Sequence, residues 1–242
     1  MDKKKDNVIS LQNVIASVAM LDLVKQVREL REQQRDMCEM AVKSMLRALD
    51  AKDHYTYGHS MRVAYYSVTL GKELGLNDEE MYELEMSALF HDIGKIGVPD
   101  AVLLKPARLT EDEFLKMKAH PSLTAEILQD FDCFKDIATY AKHHHERYDG
   151  RGYPDGLKGE NIPLFSRIIL IADTFDAMTS TRPYRKGLPY EVAFSELEEF
   201  SGSQFDEKLV KHFVSAMTQE GSKGEDTFEL TIVEGHFAKD AA

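Results

Sequence analysis

The chain has 242 residues and a formal charge of −12, from 30 Lys and Arg against 42 Asp and Glu. With 43% hydrophobic residues, 12 Phe and 10 Tyr, it can bury a sizeable core, which excludes disorder throughout. A pI near 5.2 argues against a binder of polymeric nucleic acid, and no apolar run approaches the roughly 18 residues of a membrane span.

The first Gly is Gly58 and the first Pro is Pro99, so nothing breaks a helix over the first 57 residues. Val8, Leu11, Ile15, Val18, Leu21 and Val24 recur at helical spacing, and Met37, Ala41, Met45, Leu46 and Leu49 continue the pattern. We read residues 7–52 as one long helix or two nearly end to end. It either packs on the rest of the chain or serves as a dimerisation or signalling helix. Asp22 interrupts the only apolar stretch near the amino terminus, so no signal peptide is expected. Cys38 and Cys133 stand in neither zinc-finger nor redox spacing, so a reduced, cytoplasmic protein is expected.

From Gly58 onward the helices shorten. One carries Val63, Tyr66, Leu70 and Leu74 on a face and closes at Gly75; Asn77 with Glu80 starts the next as a capping box. Thr110 with Glu113 is a second such start, and His120-Pro121 marks a break followed by a new helix. Residues 150–163 hold four Gly and two Pro and read as a long surface loop. Helices resume near 164–179, 189–200 and 206–218. Beyond them, Phe228, Leu230 and Ile232 alternate as in a short strand, or the tail is disordered.

Metal-ligand residue types gather at the ends of these helices. His59 opens one, His91-Asp92 ends another, His120 precedes Pro121, and His144-His145 precede the glycine-rich loop. Asp173 interrupts an otherwise apolar stretch. Each buried polar group needs a partner, and one shared metal centre would satisfy all of them.

These residues resemble the HD phosphohydrolase superfamily, named for its adjacent His-Asp pair. The run from His144 to Pro154, with His91-Asp92-Ile93-Gly94-Lys95 and the segment from Asp173 to Arg185, is similar to the HD-GYP subgroup. The likeness covers roughly residues 50–217. It implies an all-α HD-domain helical bundle at 50–218, preceded by an N-terminal helical extension at 1–49 and followed by a short tail at 219–242.

The resemblance also implies a metal-dependent phosphodiesterase that hydrolyses a cyclic dinucleotide, first of all cyclic di-GMP, to linear pGpG, GMP or both. Asp92 would bridge two divalent ions, with His59, His91 and Asp173 on one and His120, His144 and His145 on the other. Such a pair can hold a bridging hydroxide and a phosphoryl oxygen together. Mixed imidazole and carboxylate ligation suits iron, manganese or zinc, and the family's habit puts iron first.

Lys95, Arg182 and Arg185 match positions that hold substrate phosphate, with Lys95 also counted as catalytic. Tyr153 either meets the substrate or packs the loop. Asp176 either orients a ligand or substrate group or caps its helix. Glu146 and Asp149 read as loop-pinning groups, and His54, His143, His212 and His236 match no ligand position. Some relatives hold a third metal with a carboxylate one turn before the first His; Tyr55 stands there, which favours two ions.

Two other functions stay open at this point: a non-catalytic cyclic dinucleotide sensor, and an HD phosphohydrolase on another nucleotide such as cyclic GMP-AMP. No membrane insertion is expected. The N-terminal helix is the candidate surface for a homodimer or a signalling partner protein.

Overall fold

The structure, a computed structural model, describes residues 3–52, 54–181 and 186–221. Arg182, Arg185 and the expected strand near 228–232 lie outside the described residues, as does the side chain of Tyr55.

Helix α1 runs unbroken over Lys3–Lys52, as its freedom from Gly and Pro predicts. The chain divides into two compact units, Met1–Ser44 and Met45–Ala242, with the boundary inside α1. No helix among the described residues is long and apolar enough to cross a membrane.

The second unit is a bundle of helices, without a strand among its described residues. Helix α2 (His54–Glu73) ends before Gly75, whose φ of +73° belongs to the left-handed region that glycine adopts freely. Asn77 then caps α3 (Asp78–Phe90): its side chain accepts from the Glu79 and Glu80 amides while Glu80 reaches back to the Asn77 amide. A 3-10 turn (Ile93–Gly97) and the single turn α4 (Asp100–Leu103) follow. Thr110 caps α5 (Glu111–Met117) with the expected box, and α6 (His120–Leu128) carries Pro in its first turn. Helix α7 is Lys135–Lys142, α8 Leu164–Thr179, α9 Tyr190–Glu199 and α10 Glu207–Gly221.

Helix α2 packs against α3, α8 and α10, and α3 also meets α7. Tyr66, Phe175 and Phe213 join α2, α8 and α10 edge to face, and Phe90 meets Phe134 at 5.4 Å. Each such side chain contributes about 1.5–3 kcal/mol by leaving water. The same contacts fix α2, α3 and α8, which carry His59 in the second turn of α2, His91-Asp92 at the end of α3 and Asp173 midway along α8. Helix α6 is held against the 3-10 turn by a polar clamp. The Thr124 hydroxyl donates to the His91 carbonyl and accepts from the Gly94 amide.

Candidate metal centre

The fold brings all seven expected ligand residues together. His59, His91 and Asp173 form one group whose ligating atoms lie within 4.8 Å of one another; His120, His144 and His145 form another. Asp92 stands between them. Its Oδ1 is 3.2 Å from Nε2 of His120, while Oδ2 is 3.3 Å from Nε2 of His91 and 3.6 Å from Nε2 of His59. His91, Asp92, His120 and His144 are all buried.

The far ring nitrogens fix how these imidazoles face. Nδ1–H donates to the Ala88 carbonyl from His91, to the Met117 carbonyl from His120 and to the Ala141 carbonyl from His144. Each bond assigns the tautomer and aims the Nε2 lone pair inward. His59 is aimed likewise, with Nδ1–H donating to Asp176 at 2.7 Å.

A cation fits this donor set. Nε2 of His91 is buried without a hydrogen-bond partner. Nε2 of His120 and of His144 face each other at 3.5 Å, and with both Nδ1 atoms protonated that places two lone pairs head on. A shared positive charge relieves both situations, and the nitrogen and carboxylate donors suit a transition-metal dication.

Burial opposes ionisation of Asp92, but the neighbouring Lys95 ammonium heads the influences that outweigh it and hold the carboxyl well below the usual range. Asp173 is likewise held low against burial, chiefly by its hydrogen bond from His59. Burial alone would depress His59, yet bonds to Asp173 and Asp176 push it up to about 9. Burial depresses His144, and it takes His145 down to about 3, so both rings are neutral donors near pH 7.

Lys95 extends its ammonium to within 2.5 Å of Asp92 Oδ2. Tyr153 lies on the loop with its ring 4.8 Å from that of His145, and burial pushes its phenol up. Glu146 pins the loop: one carboxylate oxygen accepts from the Asp155 and Gly156 amides. Gly152 is required there, since a Cβ would lie 2.3 Å from the Arg147 amide nitrogen.

Asp176, expected to orient a ligand or substrate group or to cap its helix, stands against a proposed ligand. It is fully buried behind His59, and its oxygens accept from His59, Ser180 and the Nε and Nη2 groups of Arg62. With its oxygens so engaged, it orients His59 and does not face a substrate.

Sequence reasoning missed Arg62, although it stands three residues after His59 on the same helix face. It also missed Lys118, whose ammonium lies 5.0 Å from the Tyr153 centroid and 4.9 Å from that of Phe114. Its position two residues before His120 was the available signal.

Residues 43–209 match the HD domain family. The chain is 40% identical over 199 residues to the cyclic di-GMP phosphodiesterase response regulator RpfG of Xanthomonas campestris, covering 81% of this chain and 52% of that protein. It is 44% identical over 161 residues to 3'3'-cGAMP-specific phosphodiesterase 3 of Vibrio cholerae (66% and 35%), and 42% identical over 165 residues to a Thermotoga maritima cyclic di-GMP phosphodiesterase (67% and 45%). The chain thus spans about half the length of these relatives or less.

Two solved structures share the fold. The cyclic GMP-AMP specific phosphodiesterase V-cGAP3 of V. cholerae aligns with a TM-score of 0.57 at 22% identity, over 81% of this chain and 52% of that one. The HD domain of the L. monocytogenes phosphodiesterase PgpH, in complex with cyclic-di-AMP, aligns at 0.54 and 23% identity, over 76% and 99%. With the His-Asp pair and the glycine-rich loop already described, these matches give the chain its family: it belongs to the HD domain family, as a member of the HD-GYP type.

Proposed function

We propose that this chain is a metal-dependent phosphodiesterase that hydrolyses a cyclic dinucleotide, cyclic di-GMP first, to linear pGpG, GMP or both, in the cytoplasm. The observation that carries the reading is the placement of Asp92 between two groups of three ligand side chains, with one oxygen toward each. The relatives named as cyclic di-GMP phosphodiesterases support it. Those named as cGAMP-specific make cyclic GMP-AMP the second substrate to examine.

In this reading His59, His91 and Asp173 hold one divalent ion, His120, His144 and His145 a second, and Asp92 both. Iron comes first, then manganese or zinc. Bound dications supply Lewis acidity toward a phosphoryl oxygen and lower the pKa of water. The chain's own residues do the rest. Asp176 and three backbone carbonyls hold the Nδ1 protons of His59, His91, His120 and His144, so no ring can turn its lone pair away. Lys95 and Lys118 offer cations to substrate phosphate in a chain of net charge −12, with Arg182 and Arg185 proposed beside them. Tyr153 carries Lys118 on its ring and borders His145, which supports a substrate contact for it. The proposal also includes a homodimer or a signalling partner engaged through the N-terminal helix, as a part separate from the catalytic unit.

Product analysis of metal-loaded protein with cyclic di-GMP, cyclic GMP-AMP and cyclic di-AMP tests the reading. We expect turnover of cyclic di-GMP, lost on metal removal and restored on reloading. Binding of all three without turnover of any would overturn it in favour of a sensor.

A further inference from the structure

Within the Met1–Ser44 unit, α1 carries an apolar seam with a heptad register. Met20, Leu23, Val27, Leu30 and Met37 are between 41% and 63% exposed. They follow one another by three, four, three and seven residues, so Met20 and Val27 take a positions and Leu23, Leu30 and Met37 take d. Gln34 falls at the next a position. Asp22, Lys25, Arg28, Glu29, Glu32 and Asp36 all fall at b, c or f, and within this stretch Arg31 alone is charged at e or g. The Lys25–Glu29 ion pair at 3.7 Å lies on that outer face, and Gln26 at g donates to Asp22 at c at 2.9 Å. Val18 and Leu21 are exposed apolar residues that fall off the seam.

We propose that this seam pairs with the same seam of a second copy as a parallel, in-register, two-stranded coiled coil, which gives the homodimer reading above a specific geometry. Charges at e and g normally select a coiled-coil partner, and here those positions are uncharged except Arg31. Two identical seams therefore meet without like-charge repulsion, and no charge code favours a different chain.

Gln34 sets the direction. In a parallel pair, a faces a, so the Gln34 amides of the two copies lie side by side and can hydrogen-bond. In an antiparallel pair, a faces d, and Gln34 is pressed against an apolar residue with its amide unpaired, which costs its desolvation. Parallel pairing also sets Arg31 at e against the uncharged Gln26 at g of the second copy.

Sedimentation equilibrium of the 242-residue chain tests this with three variants, all of them in the Met1–Ser44 unit and outside the unit that carries the proposed ligands. We expect the unmodified chain to be dimeric and Leu23→Asp/Leu30→Asp to be monomeric, with unchanged metal content showing that the catalytic unit still folds. Gln26→Glu places a carboxylate opposite Arg31 only in the parallel register and should tighten the dimer roughly two- to fivefold; Gln26→Lys should weaken it by a similar factor. A monomeric unmodified chain, or a dimer that survives the double substitution, would overturn the seam and the homodimer with it. If the double variant is monomeric but the two Gln26 variants shift the dimer equally or in the opposite order, the parallel register is wrong while the homodimer stands. Neither result touches the phosphodiesterase reading, which metal content and turnover report separately.

Discussion

Asp176 grips His59 from behind. Its Oδ2 accepts the Nδ1 proton at 2.7 Å from a fully buried position, and Arg62 holds the same carboxylate in a two-pronged contact. The pair acts on the metal centre through His59 and without a ligating atom of its own.

Asp176→Asn should therefore leave the fold intact while loosening the aim of His59. We expect kcat to fall about 10- to 100-fold with KM little changed, and the metal to be held more weakly against a chelator. Asp176→Ala also leaves the Arg62 guanidinium, about one-third exposed, without its carboxylate, and should cost on the order of 2–3 kcal/mol of stability. Thermal unfolding beside a chelator titration separates the two effects. If the Asn variant matches the unmodified chain in kcat and metal retention, Asp176 has only a packing role.

Asp92→Ala should abolish hydrolysis and lower metal content at both groups, because each of its oxygens faces a different one. His145→Ala removes a ligand from the His120 side alone, so its metal loss should be partial where that of Asp92→Ala is larger. Metal analysis after exhaustive dialysis reads the difference. Equal losses in the two variants would mean that Asp92 does not span the groups.

Lys95 and Lys118 differ in what holds them, and their variants should differ too. Lys95 is ion-paired to Asp92, so Lys95→Ala changes the charge around a proposed ligand as well as the phosphate contact. Lys118 lies against Phe114 and Tyr153, two uncharged rings. Lys118→Ala should raise KM about tenfold with kcat and metal content nearly unchanged, since a hydrogen bond to a charged group contributes about 1.5 kcal/mol. Lys118→Arg should restore most of the affinity. A KM unmoved in Lys118→Ala would remove it from the substrate site.

Most of the proposed ligands were legible in the sequence because they stand beside a cap, a Pro or a glycine-rich turn, as His91-Asp92, His120 and His144-His145 do, whereas His59 and Asp173 lie inside α2 and α8. Helices themselves were legible for the same reason; the Asn77 and Thr110 capping boxes form as read. The support behind the ligands was not. Arg62 and Asp176 are 114 residues apart, and no local period announces that two such residues will meet. Asp176 alone fits a helix cap as well as it fits a substrate contact, and only its burial decides. Lys118 reads as one more surface lysine until the loop lays Tyr153 beside it.

Gly94 is the position where backbone spacing and the centre meet most directly. It lies in the 3-10 turn after Asp92, and α6 crosses so close that a Cβ at Gly94 would lie 2.1 Å from the His120 carbonyl oxygen and 2.6 Å from the Thr124 amide nitrogen. Both atoms are backbone and cannot swing aside as a flexible side chain would. Gly94→Ala must push α6 away, breaking the hydrogen bond from its amide to the Thr124 hydroxyl and lengthening the 3.2 Å separation of His120 from Asp92. We expect it to lose about 1–3 kcal/mol of stability from overpacking, and metal preferentially from the His120 group. Gly75→Ala is the control: nothing lies within 4 Å of its Cβ, an alanine is strained there only by the φ of +73°, and a whole helix separates it from His59 on one side and from His91 on the other. It should lower the unfolding temperature while leaving metal content and kcat unchanged. If Gly94→Ala behaves like this control, the close approach of α6 is not what sets the spacing between Asp92 and His120.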